Sequence, residues 1–295
     1  MSDATQLPLR AHPLFQRPPL VIGLGGMLYR AWAELLNAQG IAHCAPSLDE
    51  LDLTRPDSIH RWLDDRQPRL VINCAAYTDV DRAESEEHLA TAINGIGVGD
   101  LAVACRDRDI HLVHYSTDYV FDGAASRPYP TDHPRRPLGA YGRSKALGEQ
   151  LIERAGGSFL IVRTSWLYAP WGKNFVRTIA DLIRSGRPLK VVADQRGRPT
   201  SAENLARVTS QLLLRGATGT FHVTDGGECT WHEFAVEIGR RIDPEHVIEP
   251  CTTAEFPRPA PRPPYSVLDI SATEALVGEM MPWRTALAEV IGRLE

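Results

Sequence analysis

Tyr141 and Lys145 stand four residues apart in Tyr141-Gly142-Arg143-Ser144-Lys145, one helical turn, so on a helix their side chains share a face. That spacing suits a proton donor. A phenol with an ordinary pKa of about 10 is a poor acid at neutral pH, and an ammonium beside it favours the phenolate and brings the pKa toward the working range. The chain has 8 tyrosines but only three lysines, Lys145, Lys173 and Lys190, so a chance pairing at this spacing is rare. Upstream, His114-Tyr115-Ser116-Thr117-Asp118 ends an apolar run in hydroxyls, and a hydroxyl at that place can bind a substrate oxygen; alone, Ser-Thr-Asp serves equally as a turn or a helix cap. A third constellation, Gly23-Leu24-Gly25-Gly26-Met27-Leu28-Tyr29, closes a short apolar run with bare backbone N–H groups able to hold a pyrophosphate at a helix start, or simply makes a tight turn.

These groups need a frame that brings them together. From Leu20 onward, short aliphatic runs alternate with stretches of helical period, the pattern of βαβ units on a parallel sheet. Strands are expected at Leu20–Ile22, Ile41–Ala45, Leu70–Asn73, His111–Ser116 and Phe159–Arg163. Helices are expected at Tyr29–Gln39, from Thr54 to near Pro68, at Glu86–Asp107 and at Tyr141–Arg154. The predicted fold class is α/β, a doubly wound parallel sheet with a smaller C-terminal α/β region. The expected division is a flexible N-terminal extension at 1–19, a dinucleotide-binding domain at 20–165 and a substrate-binding region at 166–295, with room for part of the last to return to the sheet. Helices at Phe175–Ser185, Ala202–Arg215, Trp231–Ile242 and Arg284–Leu294 and a strand at Thr220–Val223 build that region. Pro257–Pro264, five prolines in eight residues, reads equally as an extended linker or as a pocket wall.

Composition excludes several classes. The net charge of −5 offers no basic stripe for nucleic acid, and no apolar run reaches the roughly 18 residues of a membrane span. Five scattered cysteines without a CxxC pair read as reduced thiols in a cytoplasmic protein.

Together the motifs resemble the dTDP-4-dehydrorhamnose reductase family of extended short-chain dehydrogenases/reductases, over roughly residues 20 to 293. The resemblance rests on Asn73-Cys74-Ala75-Ala76-Tyr77-Thr78-Asp79-Val80-Asp81-Arg82-Ala83-Glu84, Ser116 to Gly123, Tyr141 to Lys145, Arg163 to Tyr168, Asp194 to Thr200 and Arg262 to Asp269. It implies a Rossmann fold and hydride transfer from NADPH or NADH to the C4 ketone of a nucleotide-linked 6-deoxyhexose, ending in dTDP-L-rhamnose. Tyr141 would give the proton, Lys145 would lower its pKa and hold the nicotinamide ribose, and Thr117 would bond the carbonyl oxygen. Gly23, Gly25, Gly26, Met27 and Leu28 would face the pyrophosphate, Asp52 and Leu53 the adenine, and Ala75, Ala76 and Tyr77 the cofactor along the next strand end. Asp118 and Trp166 would meet the sugar, while Asn174, Arg196, Arg198 and Arg262 would reach the nucleotide end.

The chain departs from the family pattern in three places. Pro46-Ser47-Leu48-Asp49 holds no cation where a 2′-phosphate would want one. Tyr29 replaces a third glycine and is expected to crowd the dinucleotide or shift the turn. Arg30 and Ala31 stand where some relatives carry an acidic residue for a metal-bridged dimer, so no metal site is expected; a homodimer is compatible. The alternatives are a reductase of another nucleotide-linked 4-keto-6-deoxy sugar and a non-catalytic regulatory subunit of the same fold.

Overall fold

The computed structural model describes residues 9–294. Its centre is an all-parallel sheet in the order β1 (Leu20–Ile22), β2 (Leu70–Asn73), β3 (His111–Thr117), β4 (Phe159–Thr164) and an edge strand, Gly219–His222. Helices cover both faces, so β1 to β3 are buried along their whole length and read in the sequence as unbroken apolar runs. The strand expected at Thr220–Val223 pairs beside β4, which returns that part of the chain to the central sheet. Register sets Ile22 beside Asn73, Asn73 beside His114 and Thr117 beside Thr164, so the polar residues that end the strands come out along one edge.

The strand expected at Ile41–Ala45 is not formed. One bridge remains, in which Val21 N donates to the Cys44 carbonyl at 2.8 Å and Cys44 N to the Pro19 carbonyl at 2.9 Å. Gly40, in a left-handed conformation, precedes the segment, and Pro46, without an N–H, follows it, leaving too little room for a ladder. The bridge lies on the far side of β1 from β2. The chain order therefore reverses at β1, and in such sheets ligands bind beside the carboxyl ends at the reversal.

On one face, α1 (Met27–Ala38) and the helix Ala202–Leu214 bury Trp32, Leu36, Leu205 and Leu212 against Val21, Ile72 and Val113. On the other, α2 (Pro56–Arg66) and the helices Glu87–Arg106 and Ala140–Ala155 bury Ile59, Leu63, Leu101 and Ile152 against Ile22, Val71 and Ile161. Glu87–Arg106 runs 20 residues through a π turn at Ala92–Ile96 and has the length and composition of a membrane span, contrary to the expectation of no such stretch; 56% of its 18-residue apolar window is buried, against α2 and Ala140–Ala155.

A separate core joins the parallel pair Leu189–Val192 and Ile248–Cys251 to the helices Phe175–Arg184, Trp231–Ile242 and Trp283–Ile291, through Ile179, Val191, Phe234, Ile238 and Leu287. Thr230 and Glu233 form a capping box that starts Trp231–Ile242 at the residue expected. Residues 1–8 of the expected flexible extension lie outside the described residues. Residues 9–19 are a correction to it, because they form two 3-10 turns that bury Leu9 and Phe15 against the α1 side of the sheet. The proline segment is a strap held by Asp81, whose carboxylate accepts from Arg258 Nη2 at 2.5 Å, Arg262 Nη2 at 2.9 Å and Ala260 N at 3.2 Å.

Candidate active site

Where β1 and β2 end, a cleft of about 600 Å³ opens along the sheet edge. Its start is the glycine turn. Gly23 has φ +108°, and a Cβ there would lie 2.8 Å from Ala75 N, so only glycine lets the turn press onto the end of β2. Gly26 N donates to the Gly23 carbonyl at 3.0 Å, and Gly26 heads α1 with no capping side chain. The first-turn N–H groups of α1 thus stay open toward the cleft, an arrangement that fits a dinucleotide pyrophosphate. Tyr29 does not crowd it. Its ring leaves the cleft and tilts against His43, with centroids 6.3 Å apart.

The helix Ala140–Ala155 brings Tyr141 and Lys145 to the other end of the cleft. Gly139 at its N-cap has no side chain to satisfy the helix start, and Glu84, distant in sequence, does so by accepting from Ala140 N at 2.8 Å. Gly142 allows the helix to seat on the turn after β3, since a Cβ there would overlap the Tyr119 carbonyl. Tyr141 then packs edge-on to Tyr119, 5.8 Å between centroids. Beneath, Glu149 accepts from Arg163 Nη2 at 2.7 Å and Nε at 2.9 Å and from Arg135 Nη1 at 2.9 Å, tying the helix to β4 through a buried ion cluster.

Lys145 is 1% exposed and donates to the Tyr115 carbonyl at 2.6 Å, with its Nζ 3.2 Å from His114 Nε2. Burial pulls its pKa down to about 8, with Glu149 opposing. The Tyr141 phenol is pushed up to about 12 by burial and by the Asp118 carboxylate, against the Thr117 hydroxyl, which lowers it. The expected lowering by an adjacent ammonium is therefore absent, because Lys145 is turned to Tyr115 and His114. Asp118, 2% exposed, accepts from Thr117 Oγ1 at 3.0 Å through Oδ1, while Oδ2 has no partner. Burial raises its pKa to about 6. Trp166 stands at φ +50° and stacks on Trp231 at 3.7 Å, with its ring over Gly197; that non-glycine strain holds an aromatic face at the cleft wall.

Of the residues singled out in the sequence, the cleft gathers Gly23, Gly26, Met27, Leu28, Asp52, Leu53, Ala75, Ala76, Thr117, Asp118, Tyr141, Lys145 and Trp166. Gly25 belongs to the same turn without lining the cleft. Tyr77 is set back, its hydroxyl donating to Glu86 at 2.9 Å. Asn174 caps the helix Phe175–Arg184, and its amide donates to the Ala169 and Trp171 carbonyls at 2.9 and 3.2 Å. Arg196 pairs with Glu228 at 3.4 Å, Arg262 with Asp81, and Arg198 leaves a buried Nε without a partner. None of these five lines the cleft.

Three residues in the frame of the site carry no role from sequence. Asn94, in the π turn, accepts from Tyr77 N at 2.8 Å and donates to the Tyr77 carbonyl and Ser144 Oγ at 3.0 Å each. A lone amide in an otherwise apolar helical run was its signal. His114 touches Lys145 and Asn73, each at 3.2 Å, and Glu84 caps the tyrosine helix; both contacts are long-range and leave no local pattern.

The family profile described as the RmlD substrate binding domain matches residues 19–295. The chain belongs to the dTDP-4-dehydrorhamnose reductase family. A Streptomyces antibioticus protein named probable dTDP-4,6-dihydroxy-2-methyloxan-3-one 4-ketoreductase is 42% identical, over 92% of this chain and 93% of its own. The crystal structure of a dTDP-4-dehydrorhamnose reductase from Clostridium acetobutylicum superposes with a TM-score of 0.91 at 40% identity, covering 94% of this chain and 99% of that one. A dTDP-4-dehydrorhamnose reductase from Bacillus anthracis, solved with NADP, gives 0.89 at 35%, covering 93% and 98%. Of the motifs that carried the resemblance, those around Ala75, Thr117, Tyr141 and Trp166 meet at the cleft, while Asp194–Thr200 and Arg262–Asp269 lie outside its lining.

Proposed function

We propose that this chain reduces the C4 ketone of dTDP-4-dehydro-6-deoxy-L-mannose to dTDP-L-rhamnose with a nicotinamide dinucleotide. The observation that carries the reading is the meeting, in one cleft, of the bare glycine turn with Thr117, Tyr141 and Lys145. A bound nicotinamide supplies the hydride. Tyr141 gives its proton to the developing C4 alkoxide, and the Thr117 hydroxyl, now donating to Asp118, turns to donate to that oxygen. Lys145, held by the Tyr115 carbonyl and beside His114, binds the nicotinamide ribose, and the Thr117 hydroxyl is the group that lowers the Tyr141 pKa against burial. The free Asp118 Oδ2 accepts a sugar hydroxyl, and Trp166 packs on the sugar ring.

Gly25 completes the phosphate turn, and Tyr77 orders the strand end that faces the cofactor. Arg196, Arg198 and Arg262 are our candidates for the substrate's pyrophosphate, with Asn174 fixing the loop at its nucleotide end. The five free cysteines support a reducing, cytoplasmic setting. A homodimer is the assembly to test by light scattering.

The test is dinucleotide oxidation, followed optically, with dTDP-4-dehydro-6-deoxy-L-mannose and folded protein; no turnover with NADH or NADPH refutes the reading. A second reading, reduction of another dTDP-linked keto-sugar, is favoured by the Streptomyces antibioticus relative's name. It predicts turnover on that sugar and none on the rhamnose precursor.

A further inference from the structure

Among the described residues the cleft has one cationic lining residue, Lys145, and it lies at the tyrosine end. At the other end, beyond the glycine turn, the wall is Leu24, Pro46 and Leu48, with Leu24 50% and Leu48 73% exposed. A dinucleotide lying from the glycine turn toward Asp52 and Leu53 puts its adenosine ribose along this wall. The ribose carries either a neutral 2′-hydroxyl or a 2′-phosphate, and the latter needs an arginine, a lysine or a set of free N–H and O–H donors.

The donor set exists here but is taken. Glu50 Oε2 accepts from Ser47 N at 2.8 Å and from Ser47 Oγ at 3.0 Å, so a carboxylate of the chain already sits on the turn that an oxyanion would use. These bonds hold its pKa below the usual carboxylate range, and it stays charged at neutral pH. The other charged groups around the wall are of both signs, and the cations are engaged by side chains of the protein. Asp49 and Asp52 are carboxylates on the same segment. Arg55 pairs with Asp52 at 3.3 Å and donates to the Asp49 carbonyl at 3.1 Å. Arg66 lies over Trp62 and its charge is already met by the Glu50 carboxylate, whose pKa it helps to lower, and Arg30 lies over Trp171 while paired with Glu34 at 2.9 Å. His43 has its pKa lowered by burial and offers no charge at neutral pH.

We propose that the chain selects NADH over NADPH, the apolar Leu24–Pro46–Leu48 wall and the Glu50-occupied Ser47 turn excluding a 2′-phosphate. The selection rests on the reductase reading for the place of the dinucleotide. It is separable in experiment, because binding alone reports it.

The full chain is titrated with NADH and NADPH by calorimetry and by tryptophan-to-nicotinamide energy transfer. NADH should bind at least about 10-fold tighter. The double variant Leu48→Arg, Glu50→Gln should close that gap by tightening NADPH about 10-fold, with a gain that shrinks as salt rises. Glu50→Gln alone, isosteric and at an exposed position, should move the same ratio by about 3-fold. Equal or tighter binding of NADPH, binding of neither dinucleotide, or variants that leave the ratio unmoved would overturn the proposal. Tight NADH binding without turnover of any keto-sugar would uphold the selectivity and sink the reductase reading instead.

Discussion

The Asp118 carboxyl is a test of how the cleft is built, because its environment makes a signed statement about stability. Its pKa rises from an ordinary 3.8 to about 6, with burial as the leading cause. A folded-state pKa above the unfolded one means that the folded chain holds the proton more tightly. Stability from this group is then complete below about pH 4 and is lost as pH rises through about 6. The full loss corresponds to about 2 pH units, or ~3 kcal/mol, and the part falling between about pH 4.5 and pH 8 is ~2 kcal/mol. Asp118→Asn removes the ionisation while keeping an oxygen for the Thr117 hydroxyl, which donates to it at 3.0 Å. The amide carries its own cost at both pH values, so the informative quantity is the difference between them. Denaturant unfolding of both proteins at about pH 4.5 and about pH 8 should show the variant gaining ~2 kcal/mol relative to the parent at the higher pH. A gap that does not change with pH, or that grows toward acid, would refute the claim that Asp118 ionises against a desolvation penalty. In turnover the same variant should lose activity, since an amide cannot replace a carboxylate that accepts the sugar hydroxyl.

Tyr141→Phe should lower kcat by about 10²- to 10⁴-fold while the dinucleotide dissociation constant, read by calorimetry, stays within about 3-fold. An unchanged rate would remove Tyr141 as the acid. Glu84→Gln should cost ~1 kcal/mol by weakening the cap on Ala140 N, visible as a drop of roughly 2–4 °C in Tm by calorimetry; no drop would show that the cap is not felt. Glu149→Gln leaves Arg163 and Arg135 without their buried carboxylate, and urea unfolding should report a loss of about 3–5 kcal/mol. Gly23→Ala should prevent dinucleotide binding or destabilise the fold, because it needs both a left-handed backbone and overlap with the end of β2; normal binding and Tm would contradict the turn geometry.

What was legible in the sequence was whatever physics writes locally. Buried parallel strands leave unbroken aliphatic runs, and β1 and β2 fall at Leu20–Ile22 and Leu70–Asn73 as expected. The Trp231–Ile242 helix announces itself by its capping box. The failure at Ile41–Ala45 is also physical: the segment holds one β-branched residue and two alanines between Gly40 and Pro46, and only a single bridge at Cys44 forms. The size of Tyr29 is legible in the sequence but its direction is not, and the ring turns toward His43. The lysine–tyrosine spacing put both groups in the cleft, yet spacing cannot tell which acceptor an ammonium will choose, and Lys145 is held by a carbonyl of β3. Spacing is equally silent on the partner of Arg262, Asp81, which lies 181 residues away.

The short stretch from Asp81 to Glu84 holds the proline strap by one carboxylate and the tyrosine helix by another, so three distant parts of the chain share one four-residue ruler. Here a single inserted residue would rotate Asp81 and Glu84 out of phase and release the strap or the helix, whichever lost its contact. A change of sugar specificity can therefore be built through pocket side chains and strap composition, whereas a change in the length of this ruler would cost the strap or the helix its anchor.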